Sequence, residues 1–587
     1  MKDHTKQNIT DTNKLKLHLK ALQFLWGFFF YKKSLTTINT FNVTKFIRFV
    51  YQSTNNNIMM NKITLFSCLF FIVLNSKAQF ATEGGRKFDA LLQYINYAYV
   101  DTTNENKIVE DAIVAALKEL DPHSVYISSD EVKKMNEPLV GNFEGIGVQF
   151  NILNDTLIVV SPIAGGPSEK VGILAGDKIV AVNGENIAGI GLQNSDVQDK
   201  LRGKKGTKVN VSILRRYTKG LLDFTITRDE IPIFSVDASY MATPEIGYIK
   251  INRFAQNTDK EFQDAMDKLK KQKMKHLVID LSGNGGGYLK TAIQLADELL
   301  DDKKLIVFTE GNKNPKQEYY TAVKGSFEKG KVVILIDEGS ASASEIVSGA
   351  IQDYDRGLII GRRSFGKGLV QKPFTLTDGS AVRLTVARYF TPSGRCIQRS
   401  YEGGKDDYYN ELTRRYEHGE LMTADSIQFP DSLKYETINS KRTVYGGGGI
   451  MPDVFVPIDT SMYSEYFGLV NRKGLFNDFT LTYMDTHRED FSKKYPTISD
   501  FKKSFDAEKE LLTEFITYAE KHDVEPNQDQ INTSKVVILN RLKALIARNI
   551  WGTSSFYEIA NELNNSLSKA IEEINNDTFK KEKLVYN

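Results

Sequence analysis

The spacing of apolar positions changes several times along the chain, and each change marks a region. Between residues 85 and 139 apolar side chains recur at helical spacing: Phe88, Leu91, Leu92 and Ile95, then Ile113, Leu117 and Leu120. Two helices are predicted there. The second should close at Asp121-Pro122, because proline disfavours helical geometry in the residue before it. Residues 140–228 switch to short β-rich runs, including 149–152 and 156–160, separated by glycine-rich turns. From Gly247 onward, strand-like runs (248–251, 277–281, 332–337, 358–360) alternate with helical ones (258–270, 288–300, 344–352), the pattern of an α/β core. Beyond Pro457 the chain turns aromatic, charged and helical, with Val536, Leu539, Leu542 and Ile546 marking one apolar face. No internal repeat is present.

One apolar run belongs to none of these regions. Residues 63–74 follow Lys62 and precede Ser76-Lys77-Ala78, which has small residues at the two positions a signal peptidase reads. The run is well short of the ~20 residues that span a bilayer. Residues 59–78 are therefore predicted to be a secretory signal peptide, with translation starting at Met59 or Met60 and residues 1–58 an upstream extension outside the product. Cys68 follows Leu65-Phe66-Ser67, a poor lipoprotein box that arrives early in the run. The exported chain keeps Cys396 alone, so no intrachain disulfide is expected.

Composition narrows the function classes. At ~100–200 residues per domain, 587 residues predict three or four domains. A hydrophobic fraction of 41% and a charged fraction of 26% are those of folded soluble protein. The net charge of +2 gives no electrostatic reason to expect nucleic acid as a partner. Two cysteines and no H-x-x-x-H or H-E-x-x-H spacing leave no zinc signature, so no metal and no cofactor is expected.

Three segments of the α/β region carry unusual local chemistry. In the first, the run 277–280 leads into Leu281-Ser282-Gly283-Asn284-Gly285-Gly286-Gly287-Tyr288. Glycines between a strand and a helix expose backbone N–H groups suited to an anion or oxyanion, although a plain tight turn fits too. A dinucleotide fingerprint fails, since Tyr288 stands at its third glycine. In the second, a strand is followed by Gly339-Ser340-Ala341-Ser342-Ala343-Ser344-Glu345, where a helix dipole could stabilise charge on a serine. Ser342 to Glu345 also reads as a capping box, and spacing alone does not choose among Ser340, Ser342 and Ser344. In the third, Gly361 to Gly368 nearly spells a phosphate-binding loop, but Gly368 replaces the metal-ligating Ser/Thr and Pro373 disfavours the helix that should follow. Lys367 between two glycines reads better as a base, its ammonium destabilised by burial; the alternative is a surface lysine in a hairpin. His123, in Leu120-Asp121-Pro122-His123-Ser124, is read as helix-end structure rather than as part of a triad. In the β-rich region, Gly145-Ile146-Gly147-Val148 can form a nest of N–H groups for a carboxylate, and Ala175-Gly176-Asp177-Lys178-Ile179-Val180 follows downstream.

Together these segments resemble the carboxyl-terminal processing peptidases, serine peptidases with a Ser-Lys dyad and an embedded PDZ domain. The landmarks stand in family order from about residue 85 to 457, with Thr391-Pro392-Ser393-Gly394-Arg395 and residues 446–453 completing the set. The resemblance implies Ser342 as nucleophile, Lys367 as base, Gln371 as the residue orienting the lysine, and backbone N–H groups of Gly286 and Ala343 as the oxyanion hole. It also implies that Gly145, Ile146, Gly147 and Val148 receive a substrate C-terminus. Ser282 and Gly285 depart from the family's usual Arg and Pro, which puts the rigidity of that loop in question. The implied fold is multidomain α+β: a helical N-terminal segment (79–139), a PDZ domain (140–228), a crotonase/Clp-like α/β peptidase core (229–458) and a helical C-terminal region (459–587). The implied activity is that of an exported serine endopeptidase acting in the periplasm, with membrane association allowed. Its partners would be proteins or peptides with accessible apolar C-termini, and a homo-oligomer or an adaptor is compatible with the pattern. N-terminal sequencing of the purified protein is expected to return a chain beginning near Gln79; a start at Met1 would overturn the export reading.

Overall fold

The computed structural model describes residues 82–216 and 218–586. The predicted signal peptide and the stretch before it lie outside the described residues. Helix α1 (Glu83–Ala98) starts at Thr82, whose hydroxyl accepts the Gly85 N–H, and buries none of its residues. Helix α2 (Glu105–Lys118) stops before the Asp121-Pro122 boundary expected for it. The next residues are not helical as expected: Val125–Ile127 forms strand β1, and helix α3 (Ser129–Val140) follows. The local apolar pattern hid β1 because its three residues pair with a strand some 255 positions away, described below.

The β-rich region opens with β2 (Asn142–Gly145), then β3 (Val148–Leu153), β4 (Thr156–Pro162) and β5 (Lys178–Val182). Helix α4 (Asn194–Leu201) and strands β6 (Lys208–Leu214) and β7 (Leu222–Thr227) complete it. The antiparallel order is β3-β4-β5-β6-β7, with Glu185–Asn186 a short extra strand on β5. Leu157, Val159, Ile179, Val209, Val211, Ile213 and Ile226 form its core with Val197 and Leu201 of α4. Strand β8 (Asp229–Pro232) returns to pair with β2, so the chain enters and leaves this module through a two-stranded neck.

The α/β core is built from β9 (Val236–Met241), β10 (Ile246–Ile251), helix α5 (Thr258–Lys271), β11 (His276–Asp280), helix α6 (Leu289–Asp297), β12 (Leu305–Gly311) and β13 (Asn314–Tyr320). It continues with β14 (Val332–Ile336), helix α7 (Ala343–Asp353), β15 (Leu358–Gly361), β16 (Leu369–Thr375), β17 (Ala381–Phe390), helix α8 (Gly404–Glu417) and β18 (Val454–Phe455). One sheet has the order β9-β10-β11-β14-β15-β18, parallel from β10 onward. A second, antiparallel sheet has the order β1-β17-β12-β13, with β16 also on β17.

Parallel strands need cover on both faces, and their near-continuous apolar runs reflect it. Ile249, Ile279, Ile334 and Ile359 face α5, α6 and α7, whereas Tyr248, Val278, Val333 and Ile360 face the other way. The opposite face is covered from the far end of the chain, by helix α11 (Asn565–Asn575) and Phe579. Between lies a separate helical cluster that includes α9 (Leu475–Lys494) and α10 (Gln528–Trp551). In α10 the buried positions include Leu542 and Ile546 but not Val536, which is half exposed; Val537 and Ile538 take the inward face instead. The C-terminal helical region thus divides into an independent cluster and a cover for the catalytic sheet.

Fully buried Phe579 anchors that cover. Phe579→Ala is expected to cost about 3–5 kcal/mol, read as a lower urea midpoint for unfolding of the core; an unchanged midpoint would show that the sheet does not depend on its C-terminal cover.

Candidate active site

Three loops meet at the carboxyl ends of β11, β14 and β15, where open α/β sheets place their chemistry. The loop after β14 carries the three serines, and their hydrogen bonds separate them. Ser340 Oγ donates to Leu281 O at 2.8 Å and accepts the Asp337 N–H at 2.9 Å. Ser344 Oγ donates to Asn284 O at 2.8 Å. Both are fully buried. Ser342 is partly exposed, and its hydroxyl makes no hydrogen bond among the described residues. Its backbone sits at φ 55°, ψ −110°, a strained geometry for a non-glycine residue that presents the side chain on a sharp strand-to-helix turn.

The predicted capping box is present, with the Ser342 hydroxyl turned toward the Glu345 N–H without a full hydrogen bond to it. The Glu345 carboxylate accepts the Ser342 N–H at 2.7 Å, but the Glu345 N–H donates to Ser342 O at 2.9 Å rather than to the hydroxyl. The same carboxylate, with no solvent exposure, accepts the Lys367 N–H at 2.9 Å, the Gly366 N–H at 2.7 Å and the Ser364 hydroxyl at 2.6 Å. Burial raises the Glu345 pKa, and these four donors work against that rise. On the carbonyl side, the Tyr389 hydroxyl lies 3.0 Å from Ser342 O and 2.6 Å from Lys367 O. Glu345 and Tyr389 therefore join the Ser342 and Lys367 backbones through both their N–H and C=O groups. Sequence reasoning treated Glu345 only as a cap and overlooked Tyr389, whose contacts cross 47 and 22 residues without any local periodicity.

The Lys367 ammonium donates to Gln371 Oε1 at 3.1 Å, and Gln371 Nε2 donates to the His123 carbonyl. Burial, with the nearby Arg383 charge in second place, lowers the Lys367 pKa to about 8, against opposing pulls from Glu345 and Asp121. The His123 ring makes a separate contact. Its Nε2 is 2.9 Å from the Tyr408 hydroxyl, and burial, followed by the Lys367 charge, lowers its pKa to about 4. His123 contributes through its carbonyl, in keeping with a structural reading.

The glycine loop after β11 lies directly against Ser342. A Cβ on Gly286 would fall 2.8 Å from Ser342 Cβ and 2.9 Å from Ala343 N, and one on Gly287 would fall 2.0 Å from Phe254 O. Among the described residues, no acceptor takes the Ala343 N–H at the start of α7, whereas the Gly286 N–H donates to Asn284 Oδ1 at 2.9 Å. Despite Ser282 and Gly285, this loop is tied down. Buried Lys250 bonds Asp280 Oδ1 at 3.0 Å and Ser282 O at 2.5 Å, the Tyr248 hydroxyl bonds Asp280 Oδ2 at 2.6 Å, and Ser282 N–H returns to Asp280 Oδ1 at 2.8 Å. Asn284 Nδ2 donates to Ile251 O at 2.9 Å.

In the β-rich module, Gly145 to Val148 joins β2 to β3. Ile146 O accepts the Ser168 N–H and hydroxyl, and Gly147 O accepts the Ile163 N–H. No acceptor among the described residues takes the N–H groups of Ile146 or Gly147. Gly147 has φ 75°, and a Cβ there would press on Ile231 at 2.9 Å. Asp177 and Asn183 behave as turn formers: Asp177 accepts the Leu174 N–H, and Asn183 sits at φ 49°. Among the described residues no cluster of His, Cys, Asp and Glu could hold a metal ion.

Comparison with known proteins identifies the regions of the chain. Residues 245–409 match Peptidase family S41, residues 158–215 match the PDZ domain, and residues 466–552 match a family of unknown function, DUF8443. The carboxy-terminal processing protease CtpA of Bacillus subtilis is 36% identical over 346 residues, 58% of this chain and 73% of the relative. The carboxy-terminal-processing protease of Bartonella bacilliformis is 38% identical over 317 residues, 53% of this chain and 72% of the relative. Among solved structures, the photosystem II D1 C-terminal processing protease is 26% identical, with a TM-score of 0.33 over 64% of this chain and 87% of that one. The sequence matches define a serine peptidase with a PDZ domain. Within that class, the chain belongs to the carboxy-terminal processing protease family.

Glu345→Gln offers one acceptor oxygen and an N–H₂ group to a site built for four donors. It is expected to lower kcat roughly 100-fold, the scale of a small misplacement of reacting groups, with KM little changed. A variant with kcat near wild type would show that the carboxylate does not set the Ser342–Lys367 geometry.

Proposed function

We propose that this protease is an exported endopeptidase that cleaves peptide bonds with a Ser342–Lys367 dyad and selects substrates by their C-termini. The observation that carries the dyad is the pairing of a strained serine whose hydroxyl has no partner with a buried lysine of lowered pKa, their backbones joined by Glu345 and Tyr389.

In the proposed reaction, the neutral Lys367 amine takes the Ser342 proton as Oγ attacks the scissile carbonyl. Ser342 Oγ and Lys367 Nζ share no hydrogen bond in this structure, so a side-chain rotation brings them together in the substrate complex. The Ala343 N–H receives the oxyanion, and the Gly286 N–H joins it by exchanging Asn284 Oδ1 for the developing charge. Protonated Lys367, returned to position by Gln371, delivers its proton to the leaving amine, and water then hydrolyses the acyl-enzyme. The free N–H groups of Ile146 and Gly147 would hold a substrate's terminal carboxylate while the peptide adds as a strand beside β3, with α4 on its other side. The apolar surroundings of Ile146, Val148, Val197 and Leu201 favour an apolar terminal side chain. The signal-like segment 59–78 supports export, with the periplasm as the proposed site of activity.

Only the unprotonated lysine acts as base, so the acid limb of the profile belongs to it. With a pKa of about 8, kcat/KM on an unfolded substrate with an apolar C-terminus should rise about tenfold per pH unit below that value and level off above it. Ser342→Ala should abolish cleavage throughout. A pH-independent rate, or full activity in Ser342→Ala, would refute the dyad.

A further inference from the structure

The arginines of the catalytic core are, with one exception, tied to acceptors in the chain. Arg362 pairs with Glu338, Arg363 with Glu420, Arg395 with Asp353, and Arg399 and Arg415 with Glu411. Arg442 pairs with Asp355 and Asp453, and Arg356 donates to three backbone carbonyls. The Arg383 side chain makes no ion pair and no hydrogen bond among the described residues, and its Nε is buried without a partner.

Its place in the fold gives this isolation meaning. Alternate residues of β17 share a face. On the face of Arg383, before the bulge that shifts the register near residue 386, Thr385 Oγ1 bonds Asp121 Oδ1 at 3.1 Å, and Gln371, opposite Thr385 on β16, accepts the Lys367 ammonium at 3.1 Å. Arg383 therefore stands on the side of β17 that looks toward the nucleophile and base, flanked in the sheet by Val125 and Pro373. Asp121, the acidic group on that side, is not a spare partner: its oxygens already accept the His123 and Ser124 N–H groups and the Ser124 and Thr385 hydroxyls. The Arg383 charge reaches the centre, since it helps hold down the pKa values of both Lys367 and His123.

We propose that Arg383 is the receptor for a carboxylate of the peptide substrate, held beside the Ser342–Lys367 pair. A half-buried guanidinium without a counterion is a fork of donors shaped for a carboxylate, and desolvation by a bound peptide strengthens that pairing. The carboxylate has two sources: an Asp or Glu side chain near the scissile bond, or the free terminus of a substrate cut close to its end. The inference rests on the dyad reading of the same site.

The test uses the full chain at pH 9, above the Lys367 pKa of about 8, and reads ratios of paired peptides, in which any change in Lys367 protonation cancels. One peptide series replaces Gln by Glu at each position flanking the scissile bond; a second compares free-acid and amidated C-termini at increasing distance from it. For one source, the wild-type kcat/KM ratio of carboxylate to neutral peptide should be about tenfold, mostly in KM. That ratio should fall to near one in Arg383→Gln and recover in part in Arg383→Lys. A terminal-carboxylate preference that persists in Arg383→Gln is the PDZ loop's and counts against that source. Ratios unchanged by Arg383→Gln in both series, or an equal loss on charged and neutral peptides, would overturn the proposal. Either result leaves the dyad intact as long as Ser342→Ala remains inactive.

Discussion

The site depends on one buried carboxylate. Glu345 has no contact with solvent, yet it accepts four hydrogen bonds, two of them from the backbone N–H groups of Ser342 and Lys367. A carboxylate in an apolar interior is stable only if its lone pairs are filled, so burial of Glu345 and convergence of the two loops are the same event. Because Glu345 lies in the first turn of α7, the helix fixes the carboxylate, and the carboxylate in turn fixes where the loop after β15 can run. Tyr389 repeats the constraint from the carbonyl side and brings the second sheet into it. The strained φ of Ser342 persists because these contacts, together with helix and loop, leave the residue no relaxed alternative.

The surrounding fold serves that convergence. The loops after β11, β14 and β15 emerge side by side because the strands are parallel neighbours. The sheet can hold them in place only if both its faces are dry. One face is covered by α5, α6 and α7, in sequence with the strands. The other is covered by α11 and Phe579 from the far end of the chain. The PDZ domain hangs from the neck formed by β2 and β8, between α3 and β9. It keeps its own hydrophobic core, and Lys178 and Arg216 pair with Asp485 of α9.

What could be read from the sequence follows from this geometry. The α/β alternation was legible because strands buried on both faces leave unbroken apolar runs, and the glycine, serine and lysine loops were legible because each ends such a run. The choice among Ser340, Ser342 and Ser344 was not, since it depends on Leu281 and Asn284 accepting two of the hydroxyls from another loop. Tyr389, β1 and the cover by α11 were hidden for the same reason: their partners lie far away in the chain, so no local spacing reports them. The Val536 face failed more simply. With buried positions on several sides of α10, four apolar residues do not define the helix's inward direction.

The glycine loop shows how a departure from a familiar pattern can leave the geometry intact. With serine at position 282, Lys250 enters from the neighbouring strand and binds both Asp280 and the Ser282 carbonyl. A buried ion pair adds little net stability, but it fixes one arrangement, since removing either partner strands a charge. In that arrangement the Gly286 N–H rests on Asn284 Oδ1. On the proposed mechanism this arrangement favours catalysis. An amide-to-amide hydrogen bond contributes only about 1 kcal/mol net, so a neutral substrate carbonyl has little to offer in exchange for Asn284. An oxyanion, which attracts the donor far more strongly in a water-poor site, displaces it. The second donor is then engaged chiefly when negative charge develops, and its binding energy lowers the barrier without tightening the ground state.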